Sequence, residues 1–497
     1  MGKTLFSANL KLSLVCALII LLLTKLNAQT KSVTINWDKT IMVSKTTPTL
    51  QVVVNPMLRA QSPIHKGTFE ALKNLGADYV RFVPWFPYPH MAVAELQAPE
   101  KNRTFWDFSQ IDPIMDDFMS ATAGHSVVIN FSTIPAWMFK MDKPVQYPSN
   151  PDEVFWEYNQ GTELRDSTMK ELTGYYVRLF SWYTKGGFTD ELGNFHKSGH
   201  YYKIPYWEVL NEPDLEHNIT PQSYTRMYDA IVTELKKISP QTKFIALGLA
   251  YTSKPEWFEY FLNQANHKSG VSLEGISYHF YGTKAAKEQT LDNYQYSFFD
   301  QANGFLDKVR YIESMRKRLA PHTFTTINEI GNILEGSNYT DPIPDLYWNL
   351  SGAMFAYIYV ELSKIGVDVA GESQLVGYPT QFPDVSMMDW KNGKPNSRYW
   401  VLKLLKDNFG SSDRLAITNL NSSDITAQAF ITKEGKKLLL INKRNKEVQL
   451  ELPAEANNAE MFSVNVSTYE NQALQTQVTS NIITLKPFAV SVIKFKN

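Results

Sequence analysis

The sequence predicts an α/β protein, a (β/α)8 TIM barrel carrying an accessory all-β sandwich, and three observations point there. Short apolar runs alternate with helix-period stretches over roughly 350 residues. The runs are continuously apolar rather than alternating, as strands are when a parallel sheet is covered on both faces. No glycine-rich phosphate loop accompanies them, which favours a closed barrel over a nucleotide-binding sheet. From about residue 417 the helical pattern stops. Short strands and turns such as Glu434-Gly435 take over, marking an all-β module of about 80 residues.

Taken in chain order, residues 1–28 read as a secretory signal peptide. Lys3 and Lys11 precede an apolar run ending at Leu23, and Ala28 supplies the small residue before a polar start. The run is about a dozen residues, short of the ~20 that span a bilayer. The expectation is a secreted or periplasmic protein with no membrane span once mature. The single cysteine, Cys16, falls in this segment. The mature chain would therefore hold no disulfide, thiolate zinc site or thiol nucleophile.

Residues 31–39 alternate with Val33, Ile35 and Trp37 on one side, a half-buried strand, and residues 50–54 form a second. Both belong to a segment, 29–55, expected to join the sandwich. Residues 56–412 are assigned to the barrel, with strands near 77–83, 126–131, 206–210, 243–248, 275–280, 323–327 and 367–371. Helical stretches lie between them, the first closed by Gly76. Residues 413–497 complete the sandwich.

Composition narrows the function. Of 497 residues, 43% are hydrophobic, enough for a large core. Lys and Arg total 49 against 50 Asp and Glu, a formal net charge of −1, so no long-range field favours nucleic acid or an acidic membrane. A polyanion would need a local basic patch, and no dense one is visible. Eleven Trp, 26 Tyr and 28 Phe offer flat apolar faces that suit sugar rings as well as a core. No H-E-x-x-H motif or other ligand spacing appears, so neither metal nor other cofactor is expected. Nothing in the sequence sets an oligomeric state.

In a barrel the chemistry sits at the carboxyl ends of the strands. Two Glu residues occupy such positions: Glu212, after Tyr206-Trp207-Glu208-Val209-Leu210-Asn211 and before Pro213, and Glu329, in Thr325-Thr326-Ile327-Asn328-Glu329. They are expected on the fourth and seventh strands of an eight-strand ring, facing one another across the mouth. Two facing carboxyl groups, one protonated and one ionised, are what cleavage of a glycosidic bond requires. Glu208, earlier on the same strand, is expected to make an internal ion pair. Glu372, beside the eighth strand, is the rival carboxylate.

Trp207 to Asp214, with the Asn211-Glu212-Pro213 tripeptide, resembles the acid/base motif of the retaining glycoside hydrolases of clan A. Phe105-Trp106-Asp107-Phe108-Ser109-Gln110-Ile111-Asp112, Ser277-Tyr278-His279-Phe280-Tyr281 and Thr484-Leu485-Lys486-Pro487-Phe488 are similar to segments of glycoside hydrolase family 39, the β-xylosidase and α-L-iduronidase family. The Asn-Glu-Ile-Gly around Glu329 and an inserted segment, 186–200, depart from that family. The resemblance implies a carbohydrate substrate, Glu212 as acid/base and Glu329 as nucleophile. It implies Asn211 at the sugar 2-hydroxyl, and His279 and Tyr281 orienting Glu329. Arg81, ending the first barrel strand, would lower the Glu329 pKa or clamp a substrate carboxylate. Trp85, Trp137 and Trp348 are candidate stacking platforms, and the insert is expected to shape the leaving-group side of the cleft. A different sugar preference, a transglycosylase and a non-catalytic carbohydrate-binding protein remain as alternatives.

Overall fold

The computed structural model describes residues 31–496 apart from 158–160, 286–289 and 335–342. The expected signal peptide, 1–28, lies outside the described residues. The chain begins in β1 (Lys31–Ser32) and β2 (Thr34–Val43), then passes through three residues into β3 (Thr47–Val53). Barrel units follow: α1 (His65–Leu75), β4 (Val80–Val83), α2 (Asp112–Ala121), β5 (Val127–Ile129) and α3 (Lys170–Thr184). After a hairpin, β6 (Gly187–Thr189) and β7 (Phe195–Lys197), come β8 (Tyr206–Glu208), α4 (Pro221–Ile238), β9 (Lys243–Leu249) and α5 (Pro255–Leu262). The barrel ends with β10 (Gly275–Gly282), α6 (Leu291–Leu319), β11 (Phe324–Asn332), α7 (Asp345–Ile365), β12 (Val369–Glu372) and α8 (Ser397–Asn408).

Eight of these strands close into a parallel ring in the order β3, β4, β5, β8, β9, β10, β11, β12, with β12 pairing back onto β3. The (β/α)8 expectation therefore holds. One assignment does not: the strand at 50–54, expected in the sandwich, is the first barrel strand. All of Pro48 to Val53 is buried, because one face meets the helices and the other fills the ring. With it counted, Glu208 ends strand four and Glu329 lies on strand seven, but Arg81 stands on strand two, not one.

Local sequence explains the helix ends. Gly76 closes α1 at φ 59°, its N–H returning to the Leu72 carbonyl, a left-handed position that suits glycine. Thr220 opens α4 by accepting the Ser223 N–H, with Pro221 in the first turn. The sandwich expectation is met by the remaining strands: β13 (Arg414–Asn419), β14 (Ile425–Thr432), β15 (Gly435–Asn442), β16 (Val448–Glu451), β17 (Glu460–Val464), β18 (Leu474–Gln477), β19 (Ile482–Leu485) and β20 (Val490–Lys494). A seven-stranded sheet runs β18-β17-β20-β15-β14-β13-β2, and a three-stranded one runs β1-β16-β19. Val33, Leu438, Leu440, Leu450, Leu485 and Ile493 form the core between them.

The hairpin β6–β7 connects a helix to a strand. In a βα barrel such connections lie at the amino-terminal ends of the strands, away from the mouth. Phe188 packs there on Trp106, Phe108 and Trp182, flanking α3. The insert thus braces the barrel wall, and its Asp190 and Glu191 also take bonds from Thr104 and Trp106 of the loop that follows β4.

Candidate active site

The mouth is built on a polar layer inside the ring. Barrel interiors are usually filled by branched apolar side chains, but here Gln51, Arg81, Glu208, Ser277 and Asn328 point inward from five strands, and all are buried. Glu208 is the hub. It accepts from Arg81, from Asn130 Nδ2 at 2.6 Å, from Asn328 Nδ2 at 2.8 Å and from the Ser277 hydroxyl. The ion pair expected for Glu208 is this one. Glu372, the rival carboxylate, is wholly buried and bound by Arg398 Nε at 2.9 Å, which removes it from the mouth.

Arg81 bridges that layer to the candidate carboxylates. Its Nη1 donates to Glu329 Oε1 at 2.6 Å and to Gln51 Oε1 at 2.7 Å, and its Nη2 donates to Asn211 Oδ1 at 2.6 Å. The residue is 1% exposed, with its donors spent on protein groups, so the clamp expected for a substrate carboxylate is not available. Burial works against its charge, but Glu208 and Glu329 more than offset that and hold it protonated.

Glu329 also accepts the Tyr281 hydroxyl on Oε2 at 2.6 Å. Behind Tyr281 stands Ser373, 2.7 Å away, which in turn takes a bond from Gln51 Nε2 at 2.7 Å. The bonds close a ring from Arg81 through Gln51, Ser373 and Tyr281 to Glu329. His279 pairs in register with Glu329 across β10 and β11, after a bulge beyond Ser277. Its Nε2 lies 3.5 Å from Glu329 Oε1, but its shorter contact, Nδ1 to Glu212 Oε1 at 2.8 Å, goes to the other carboxyl. The expectation that His279 orients Glu329 is corrected to that extent: it sits between the pair.

Glu212 reaches this point on a strained backbone. Leu210 and Glu212 have φ of 65° and 39°, a left-handed conformation unfavourable for side-chain-bearing residues by about 1–3 kcal/mol each. The Glu212 N–H donates to the Gly248 carbonyl at 2.8 Å, and the Leu215 and Glu216 N–H groups return to the Glu212 carbonyl. Gly248 lies at φ 55°, a left-handed position that glycine takes without strain.

One oxygen of Glu212, one of Glu329 and a ring nitrogen of His279 lie within 4.8 Å of one another. Both carboxylates keep slight solvent contact, 13% and 10% of their side chains. Burial raises the Glu212 pKa, His279 moderates the shift, and the charge of Glu329 adds to it. For Glu329 burial also pushes upward, but His279, Arg81 and the Tyr281 hydroxyl outweigh it and hold the group below its ordinary range. His279 is itself raised: burial opposes its charge, while Glu329 and Glu212 favour it more strongly. The same three residues could offer ligands to a divalent ion, but Arg81 against Glu329 already brings positive charge there.

Asn211 lies 3% exposed, between Arg81 and Glu216, donating to Glu216 Oε1 at 2.8 Å. Glu216, which the sequence reading passed over, also takes the Trp85 indole N–H on Oε1 at 2.7 Å. It is wholly buried and its Oε2 has no partner among the described residues. Burial, then the charge of Glu212, drives its pKa well above the ordinary range, so it is a neutral acid. Its position one helical turn beyond Glu212 was the available signal. Trp85 thus adjoins the site and stacks on Phe382. Trp137 and Trp348 make no contact with the carboxylates. Trp137 donates to the Glu95 carbonyl at 2.9 Å under Arg165, and Trp348, on α7, packs edge-on to Tyr347 and faces Trp390 and Tyr469.

The GH51 arabinofuranosidase from Xanthomonas axonopodis pv. citri superposes with a TM-score of 0.64 at 14% identity, over 94% of this chain and 100% of that one. The α-L-arabinofuranosidase from Thermotoga maritima, as an arabinose complex, gives 0.61 at 15% over the same shares. The GH30 endoxylanase from Clostridium papyrosolvens C71 gives 0.56 at 12%, again over 94% and 100%. The chain shares their fold. No family model matches the sequence, and no curated protein matches it.

Proposed function

We propose that the protein is a secreted retaining glycoside hydrolase acting on xylose-, arabinose- or uronic-acid-containing glycans. The observation that carries this is the pair of carboxyl groups at the ends of strands four and seven. Their nearest oxygens are within 4.8 Å and their pKa values are pushed in opposite directions. Retaining enzymes place the two groups about 5–5.5 Å apart, and inverting ones about 6.5–9.5 Å, to leave room for water. Opposed pKa shifts of neighbouring carboxyls support Glu212 as the acid and Glu329 as the nucleophile.

In the first step Glu329 attacks the anomeric carbon, the glycosidic C–O bond breaks, and the Glu212 proton passes to the leaving oxygen. In the second, Glu212 takes a proton from water as that water displaces Glu329. Arg81 and Tyr281 hold Glu329 ionised and aimed; Asn211, fixed by Arg81 and Glu216, is placed for the sugar 2-hydroxyl. The arabinofuranosidase and endoxylanase folds support a pentose-containing substrate, and the family 39 resemblance adds xylosides and uronides. Secretion rests on residues 1–28; N-terminal sequencing of the exported protein would then read Gln29 first.

The test is a panel of aryl glycosides (xyloside, arabinofuranoside, galactoside, glucuronide, iduronide) with Glu212→Ala and Glu329→Ala beside the wild type. One sugar is turned over, and Glu329→Ala abolishes turnover. Glu212→Ala loses roughly 10²–10⁴-fold and regains part of it with azide. Full activity in both variants would overturn the assignment. Silence of the wild type on aryl glycosides and on arabinoxylan alike would point to a carbohydrate-binding protein.

A further inference from the structure

Next to the carboxylate site, the loops that follow strands two and three enclose a second cavity of about 990 Å³. That is the upper end of the ~300–1,000 Å³ usual for small-molecule sites. It shares a wall with the catalytic loop. Phe139 lines it and stacks on His217 at 4.8 Å, and His217 directly follows Glu216. Both loops are strand-to-helix connections, so the cavity opens on the mouth side of the barrel.

The lining combines flat rings with positive charge. Phe105, Trp137 and Tyr147 are half-buried along it, and Lys140, Lys143 and Arg165 stand among them, against one carboxylate, Glu100. Arg165 lies over the Trp137 ring at 4.6 Å, and the Trp137 N–H is tied to the Glu95 carbonyl, so the indole is held in place without a ligand. Lys140 is paired with Glu163 and Arg165 with Glu171, both outside the lining. Lys143 has no carboxylate partner among the described residues and is exposed. Aromatic faces take the apolar faces of sugar rings, and cations placed beside them take the carboxylates those rings carry.

We propose that this cavity is a second carbohydrate site that holds a uronate-bearing stretch of the glycan, away from the bond being cut. It rests on the glycosidase reading and adds to it the acidic character of the substrate chain. The Glu95 carboxyl, which accepts the Phe105 N–H at 3.3 Å, does not oppose such a ligand, since burial, followed by the charge of Glu191, raises its pKa to about 8 and leaves it neutral. The cations come from positions as far apart as 140 and 165 and meet only in the folded loops.

The experiment uses Glu329→Gln, so that no probe is consumed, and titrates it calorimetrically with a galacturonic acid hexamer and with xylohexaose. The acidic hexamer binds at least about tenfold more tightly, and the preference shrinks with added salt, which screens exposed charges. Lys140→Glu/Lys143→Glu, on the exposed loop, removes the preference, and Lys143→Ala reduces it. With the Glu329 side chain restored, the double variant turns over the aryl glycoside within about twofold of wild type. Equal affinity for the two probes, or an undiminished preference in the double variant, overturns the proposal even if aryl glycosides are hydrolysed. Lysine-dependent binding of the acidic hexamer by a protein that hydrolyses nothing would uphold the cavity and overturn the glycosidase reading instead.

Discussion

At the residue scale the decisive feature is that, of three acids near one point, one is held ionised while two are raised. Glu329 is held ionised by His279, Arg81 and Tyr281; Glu212 is raised by burial; Glu216, raised by burial well above the ordinary glutamate range, serves as a neutral support. The pH profile follows from these signs. Activity needs Glu329 deprotonated and Glu212 protonated. The acid limb of kcat/KM should therefore fall below the usual glutamate range and the alkaline limb above it, with the two values belonging to the pair. In Glu329→Gln the neighbouring negative charge is gone, so the Glu212 pKa, followed by carboxyl NMR, drops. A rise would contradict the coupling. Glu216→Gln keeps the volume and an acceptor for Trp85 and Asn211 and should retain most activity. Glu216→Ala takes its acceptor from the buried Asn211 amide, at about 1–3 kcal/mol, and should lower kcat more than it changes KM. Equal behaviour of the two variants would remove Glu216 from the positioning of Asn211.

At the element scale, the inward side chains of β3, β4, β8, β10 and β11 form one hydrogen-bonded layer beneath the carboxylates. Arg81 and Glu208 are its charged members, 1% and 0% exposed. Replacing Glu208 by Ala leaves Arg81 with Glu329 as its one carboxylate partner and empties the hub of the layer, and breaking such a buried pair costs about 3–5 kcal/mol. Urea unfolding should show that loss as a lower midpoint with little change in slope. A shift under about 1 kcal/mol would mean that Asn130, Ser277 and Asn328 are not a satisfied set around Glu208. The mis-assigned strand belongs to this scale too. Residues 47–53 carry Gln51, which bonds Arg81 and Ser373. A short apolar run reads alike in a sandwich and a barrel, because periodicity reports burial and not which partner strand provides it.

At the scale of the molecule, barrel and sandwich share one core. Leu415, Phe430, Leu439, Ile441, Val490 and Val492 of the sandwich belong to the same apolar cluster as the barrel helices. Trp400 and Ser397 of α8 bond the Glu470 and Tyr469 carbonyls. The chain also crosses between the two units twice, at residues 44–46 and after Asn408. Calorimetry should therefore give a single transition whose van't Hoff and calorimetric enthalpies agree. Two resolved transitions would show that the sandwich unfolds on its own.

Read alone, the chain carries the barrel, the sandwich, the strand-end positions of Glu212 and Glu329 and the ion pair of Glu208. Each is written in local pattern: strand-like runs, strand-ending prolines and glycines, and a Glu at the carboxyl end of a run. Tertiary structure alone decided which rings and charges meet. It turned His279 toward Glu212, spent Arg81 on protein partners, closed the ring through Gln51 and Ser373, and moved Trp137 and Trp348 away from the carboxylates. Those outcomes depend on strand register and loop path, which bring together residues up to 322 positions apart, as Gln51 and Ser373 are. A pattern read within a window of a few residues carries burial and turn chemistry, but not the identity of the neighbour across the ring.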